Sequence, residues 1–357
     1  MFNKKTIKDI QVRGKVVLVR TDYNVPLDEN GNVAGDSRIR ASLPTISYLL
    51  EHGASKIILM SHLGRPEGRR DVKFSLRRVA ERLQELLPDS AVRFVDDVSG
   101  PDVEVAVENL PKGGILLLEN LRFSADEEKN SKDYADEIVS STHADLFVQD
   151  GFGVIHRAHA STDAIAELLP AVAGLLVERE VSSLLGVIKD PKHPLLVIIG
   201  GAKVEDKQPM IDTFLPIADK IVVGGKIAAD GYASDNAKIY VATDFVEDGA
   251  GAKLDIGPES VAKILEMIAE AKTIVWNGLL GKAEDMEFAG ASRAVGEAMG
   301  KSEATTIVGG GDTTEFVEKL AEEQSDLKYT LISTGGGASL DLLSGKSLPG
   351  VEVLEDR

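Results

Sequence analysis

The chain has no cysteine, which excludes disulfides, thiol chemistry and zinc–thiolate sites and fits a reducing compartment. It also lacks positive charge: 40 basic against 58 acidic side chains leave a net −18, which argues against non-specific nucleic-acid binding. No apolar run approaches the roughly 20 residues that span a bilayer. The start, MFNKKTIKDIQ, has no signal-peptide core. Internal repeats and low-complexity segments are missing as well. No G-x-G-x-x-G opens a helix after a strand, which lowers the odds of a nicotinamide dehydrogenase. SGKS (344–347) ends like a phosphate-binding Walker loop, but Leu340 stands where that loop needs its first glycine. The expectation is a cytoplasmic enzyme.

What is present is length and apolar content for two cores: 357 residues, 43% hydrophobic. Thirteen arginines and five of six histidines precede residue 170, and only Arg179, Arg293 and Arg357 follow it. Arginine grips carboxylate and phosphate bidentately, whereas lysine acts as a point charge. The partition suggests a small anionic substrate in the first half and a nucleotide in the second. Short apolar runs such as VVLV (16–19), KIILM (56–60), LLVII (195–199) and TIVW (273–276) alternate with helix-period segments. That alternation predicts parallel sheets built from right-handed crossovers, about five strands on either side of residue 170. AVAGLLVEREVSSLLGVIKDP (171–191) reads as a connecting helix ended by Pro191.

In open α/β sheets ligands sit beyond the carboxyl ends of the strands, and the polar residues gather there. Asp22 and Asn24 follow VVLVR; Ser61, His62, Gly64 and Arg65 follow KIILM; Asn120 and Arg122 follow ILLL; His156, Arg157 and His159 follow LFVQD; Arg38 sits just before a helix. A lone loop arginine usually belongs to a surface ion pair, but several strand ends agree here. The second half places glycine at the same positions: GGAK (200–203), VGGK (223–226), WNG (276–278), VGGGD (308–312) and STGGGAS (333–339). Glycine turns that open helices present N–H groups and a positive dipole end to anions. Lys203 and Lys207 lie one helical turn apart beside the first of these, which suits a polyphosphate. Asp312 is placed to hold Mg²⁺ already bound to phosphates, since magnesium takes oxygen ligands and keeps several waters.

The segments VRTDYNVPL, RIRASLPTI, SHLGRP, LLENLRFSADEEKN, HRAHAS, GGAKVEDK, VWNG, GGGDTT and STGGGASLDLLSGKSLPGV, spread in order from about residue 15 to 351, closely resemble the signatures of the phosphoglycerate kinase family. The resemblance implies two Rossmann-like three-layer α/β/α lobes with parallel sheets, joined by a long helix and separated by a deep cleft. It implies an N-terminal lobe (1–170), the connecting helix and hinge (171–191), a nucleotide lobe (192–340) and a C-terminal segment (341–357) returning to the first lobe. The implied reaction is reversible phosphoryl transfer from 1,3-bisphosphoglycerate to ADP, giving 3-phosphoglycerate and ATP, by a monomer using Mg²⁺ as MgATP or MgADP.

Carried over by motif, the substrate-binding set is Asp22, Asn24, Arg38, His62, Leu63, Gly64, Arg65, Arg122, Arg157 and His159. Gly201, Lys203, Lys207, Asn277, Glu284, Gly309, Gly310, Gly311, Asp312 and Thr313 are expected at the nucleotide, with Asp312 on the metal. Arg38, Lys203, Gly336 and Gly337 are the expected catalytic residues. Leu279 stands where the family has proline, Ala283 where an aromatic is usual, Val154 where threonine is common, and the stretch from Tyr232 to Leu254 reads as shortened. The altered 279–284 stretch keeps open a same-fold kinase with altered nucleotide preference; the other alternative, a non-catalytic ligand-binding member, would be favoured by loss of Arg38, Lys203 or Asp312, all of which are present.

Overall fold

A computed structural model describes residues 2–357, which divide into two compact units. The N-terminal unit comprises Phe2–Arg179 and Ser347–Arg357; the C-terminal unit comprises Glu180–Lys346.

In the N-terminal unit the elements run β1 (Val16–Arg20), α1 (Ser37–Glu51), β2 (Lys56–Met60), α2 (Arg77–Leu86), β3 (Val92–Phe94), α3 (Pro101–Glu108), β4 (Gly114–Leu117), α4 (Lys132–Thr142), β5 (Leu146–Gln149) and β6 (Ala171–Ala173), followed by α5 (Leu175–Lys189), which starts here and continues into the other unit. The six strands form one parallel sheet in the order β3-β4-β2-β1-β5-β6. Its central strands are almost wholly apolar and buried, as expected of strands covered by helices on both faces. Val17, Val19, Ile57, Leu59, Ile115 and Leu117 form the sheet's contribution to a core completed by Ile39, Ile46 and Leu49 of α1 and Val79 and Leu83 of α2. The 171–191 segment does not begin as a helix. Ala171–Ala173 is small, apolar and buried, and pairs with Phe147–Gln149 as the sheet's edge strand before Gly174 breaks the direction. β3 was also not expected: it is only three residues long, with Arg93 exposed between half-buried Val92 and Phe94.

The C-terminal unit continues with β7 (Leu195–Ile199), α6 (Val204–Phe214), β8 (Lys220–Val223), α7 (Gly225–Ala229), β9 (Ile239–Val241), β10 (Phe245–Glu247), β11 (Lys253–Ile256), α8 (Pro258–Glu270), β12 (Thr273–Asn277), α9 (Gly290–Lys301), β13 (Thr305–Gly309), α10 (Gly311–Glu323), β14 (Leu331–Ile332) and α11 (Gly337–Leu343). A second parallel sheet of six strands has the order β14-β13-β12-β7-β8-β9. The antiparallel pair β10–β11 stands apart from it. Leu196, Ile198, Ile274, Trp276 and Val308 pack beneath α8 and α9 through Ile264, Ile268, Val295 and Met299.

The chain ends in a short helix, α12 (Pro349–Glu352), within the N-terminal unit. Gly350 N–H donates to Ile155 O (2.9 Å), and Lys4 Nζ donates to the carbonyls of Glu352 and Leu354. The segment joined to this unit therefore starts at Ser347; residues 341–346 complete α11 and its C-terminal turn.

Candidate functional site

The carboxyl ends of β1, β2, β4 and β5 carry a web of charged groups in the N-terminal unit. Asp22, just past β1 and buried, accepts from the Asn24 N–H (3.1 Å) and from Arg38 Nη1 on the first turn of α1 (2.7 Å). Asn24 Oδ1 accepts from the Gly64 N–H (2.8 Å), and Arg122 Nη1 donates to Gly64 O (2.9 Å), so the loop after β2 is clamped from two sides. Leu63 is buried behind that loop, and its carbonyl accepts from Asn120 Nδ2 at 2.7 Å. Arg122 is itself buried; its Nε stands 3.2 Å from Glu128, and its Nη2 is a buried donor with no hydrogen-bond partner. His62 and His159 are buried, whereas Arg65 and Arg157 are exposed and free to meet a ligand.

Sequence reading passed over the pair beneath these residues. Arg20 and Glu127, both with no exposed surface, approach to 3.7 Å. Arg20 Nε donates to Ser161 Oγ (2.7 Å), and Ser161 Oγ donates to Glu127 Oε1 (2.6 Å). The available signal was a guanidinium ending an otherwise apolar strand, which cannot be buried without a carboxylate nearby.

The field in this web is positive. Burial, reinforced by Arg20, Arg122, Arg38 and Arg157, holds His62 well below the usual histidine range. Burial and then Arg20, Arg122, Arg157 and His156 push His159 down to about 4. Both rings are neutral at pH 7.

In the C-terminal unit a cavity of about 760 Å³ opens beyond the carboxyl ends of its sheet. Gly201, Lys203, Lys207, Asn277, Glu284, Gly310, Gly311, Asp312 and Thr313 all line it. Gly309 is buried as the last residue of β13, behind the wall. Gly336 caps α11 with φ +42° and lies close to Gly311. Gly337 is the first residue of that helix.

Four of the five glycine turns open helices, namely α6, α7, α10 and α11. The fifth does not: after β12 the WNG turn runs into an irregular loop, because Gly278 must cross the GGAK turn. Gly278 (φ +97°) has its Cα so near Gly200 that a Cβ would fall 2.2 Å from the Gly200 carbonyl oxygen. The Gly200 and Gly201 N–H groups donate to Asn277 O (3.0 Å) and Leu279 O (2.8 Å), locking the two turns together. Leu279 thus serves through its backbone carbonyl.

Lys203 is exposed at the N-cap of α6. Lys207 is half-buried and bonded to Asn277 Oδ1, and burial lowers its pKa against the opposing pull of Asp206 and Asp312. Asn277 Nδ2 is buried without a partner. Phe245, with Lys253 Nζ 4.5 Å from its ring centroid, and Leu254 also line this cavity; all three fall inside or at the edge of the stretch read as shortened, which holds β9 and the β10–β11 pair.

Among the described residues no helix is long and apolar enough to cross a membrane. The family model for phosphoglycerate kinase matches residues 7–239 and 228–346. The phosphoglycerate kinase of Chloroflexus aggregans is 42% identical over an alignment that covers 99% of this chain and all of that protein. That of Coprothermobacter proteolyticus is 42% identical with 98% of each covered. Among solved structures, the phosphoglycerate kinases of Coxiella burnetii (31% identity, TM-score 0.79) and Pyrococcus horikoshii (28%, 0.85) each match over 98% of both chains.

Proposed function

The chain belongs to the phosphoglycerate kinase family, and from that premise we propose how its own residues carry the reaction. It is a kinase of the glycolytic phosphoryl transfer, moving a phosphoryl group between 1,3-bisphosphoglycerate and ADP. In that reaction a terminal phosphate oxygen of ADP attacks the acyl phosphorus. The P–O bond to the C1 carboxyl breaks, and 3-phosphoglycerate leaves as a carboxylate. In reverse the nucleophile is that carboxylate, already ionised at neutral pH with a pKa of about 4. No proton moves at the reacting atoms, so no general base is needed and catalysis rests on positioning and charge.

The glycerate binds the arginine web of the N-terminal unit: Arg122, Arg65 and Arg157 meet its anionic groups, Asp22, Asn24, Leu63 and Gly64 shape the pocket, and His62 and His159 line it as neutral rings. Arg38, oriented by its 2.7 Å contact to Asp22, neutralises charge developing on the transferring group. The nucleotide occupies the 760 Å³ cavity, its phosphates on the Gly310 and Gly311 backbone with Lys203, Lys207, Asn277 and Thr313, while Gly201 allows the close approach of the turn, and its ribose lies toward Glu284. Lys203 and the Gly336–Gly337 turn complete the positive surround.

Asp312 lines the cavity and, with Asp206, acts on Lys207. One or two carboxylates with phosphate oxygens and water suit magnesium, so Asp312 fits Mg²⁺ delivered with the nucleotide, where the ion would offset phosphate charge. Because acyl phosphates hydrolyse readily, the two units must close on their substrates and exclude water, with the hinge in the α5 region. We assign the chain to the cytoplasm as a monomer.

The observation that carries this reading is the pairing of an arginine web in one unit with a glycine-walled cavity in the other. The test is ADP formation from MgATP dependent on 3-phosphoglycerate. Arg38→Ala should lower the rate by about 10²–10³, the loss of one transition-state donor worth about 3 kcal/mol. Activity in the variant within a few-fold of wild type removes Arg38 from the mechanism; a wild type inert with ATP but active with GTP favours an altered nucleotide preference.

A further inference from the structure

A fully buried guanidinium has no conformational choice left, and that constraint passes to the imidazole beside it. Arg20 is anchored on three sides: Nε donates to Ser161 Oγ (2.7 Å), Nη1 donates to the Thr21 carbonyl, and Nη2 lies 3.7 Å from Glu127 Oε1. The same Nη2 stands 3.4 Å from His62 Nδ1. A guanidinium carries donors only and stays protonated. At that contact Nδ1 can therefore only accept, and the ring proton of a neutral His62 must sit on Nε2.

We propose that Arg20 is a positioning residue that fixes His62 as the Nε2–H tautomer, so that the ring offers an N–H rather than a lone pair to the anionic substrate. The other tautomer would set Nδ1–H against an Arg20 N–H with no acceptor between them. It would also turn a lone pair toward the phosphate or carboxylate of the ligand. Burial and the surrounding arginines keep the ring from protonating instead. Glu127 is the counter-charge that lets Arg20 remain buried, and Ser161 links the two. The division of roles is then consistent: the exposed arginines supply charge, and His62, oriented from beneath, supplies a directional donor without adding charge. This inference rests on the glycerate site proposed above.

The tautomer is read directly from long-range ¹H–¹⁵N spectra of the ¹⁵N-labelled full chain without substrate, with His62 assigned by its absence in His62→Gln. The expected pattern is a bare Nδ1 and a protonated Nε2 at neutral pH. A protonated Nδ1, or a doubly protonated ring, overturns the proposal. Function gives a second reading. Glutamine places its amide nitrogen near the Nε2 position and asparagine near Nδ1, so His62→Asn should raise KM for 3-phosphoglycerate at least about tenfold more than His62→Gln, the loss of one charge-assisted hydrogen bond. Equal effects of the two substitutions count against a donor at Nε2.

Arg20→Lys, which keeps the charge and loses the fork, should give mixed tautomers and raise this KM by about tenfold while kcat changes little. An unchanged spectrum in that variant removes Arg20 from the role. If the variant does not fold, the wild-type spectrum and the glutamine–asparagine pair still decide. A wild type that shows the expected tautomer yet fails to bind 3-phosphoglycerate would instead refute the reading of the site.

Discussion

Asp150 follows β5 with no exposed surface, where its Oδ1 accepts from the Leu176 N–H (3.0 Å) at the start of α5 and its Oδ2 has no partner. Gly174 passes so close that a Cβ there would strike Oδ1 at 2.1 Å. Burial raises the carboxyl from 3.8 to about 7, only partly countered by Thr45, the Leu176 and Val177 N–H groups and Arg179. The folded chain therefore holds this proton where the unfolded chain releases it, and stability must fall as pH rises from about 4 to about 7. Ionised, the group costs on the order of 4 kcal/mol, roughly three units at 1.36 kcal/mol each. Between about pH 5.5 and about pH 8 the linkage predicts a loss of about 2 kcal/mol.

Asp150→Asn keeps an oxygen for the Leu176 N–H and cannot ionise, so its unfolding should lack that increment. Urea unfolding followed by far-ultraviolet circular dichroism at the two pH values measures the difference. The single tryptophan, Trp276, lies in the other unit, so its fluorescence transition provides an internal control that the substitution should leave alone. Equal pH dependence in wild type and Asp150→Asn would refute the argument.

Two further outcomes follow from the nucleotide cavity. Gly278→Ala forces a Cβ to 2.2 Å from the Gly200 carbonyl at φ +97°; the GGAK and WNG turns must part, and isothermal titration should show ADP affinity reduced by about tenfold or more, with a loss of about 1–3 kcal/mol in the stability of the C-terminal unit. Asp312→Asn should raise the Mg²⁺ concentration needed for half-maximal activity severalfold while leaving the 3-phosphoglycerate KM unchanged, because the residue belongs to the nucleotide cavity and magnesium delivered with a nucleotide takes only one or two protein carboxylates.

The parallel-sheet architecture was legible because buried strands of this kind are short, continuous apolar runs, and VVLV, KIILM, LLVII and TIVW each became a central strand with its polar neighbours at the carboxyl end. The elements that sequence reading did not find share a physical cause. β3, β6, β10 and β11 are short or peripheral, and their residues are held by pairing with a neighbour rather than by a pattern of their own; Ala171–Ala173 is equally apt for a helix until β5 offers it a ladder. The same holds at the site. Asp22, His62 and Arg122 were visible because they follow strands, and Arg38 because it stands at the start of a helix. Arg20 ends β1, and its partner Glu127 lies 107 positions away in the chain, so the apolar strand marks the arginine but nothing local marks its partner.

The uneven distribution of arginine has a structural reason beyond ligand chemistry. The N-terminal unit uses guanidinium groups as fixed parts: Arg20 and Arg122 are buried against Glu127 and Glu128, and each clamps a loop or a ring at the carboxyl end of the sheet. A fork of planar donors suits that task, because each donor can be spent on a different acceptor while the group stays rigid. In the C-terminal unit the backbone does the positioning. Crossed glycine turns and helix N-termini set the N–H groups, so charge can be left to lysines, of which Lys203 is exposed and Lys207 is tethered only to Asn277. Preorganisation is thus built from side chains in the N-terminal unit and from main chain in the C-terminal unit. Conservative Arg-to-Lys exchanges are accordingly disruptive in the first unit because they dissolve the scaffold itself, and not merely because they weaken one contact to substrate.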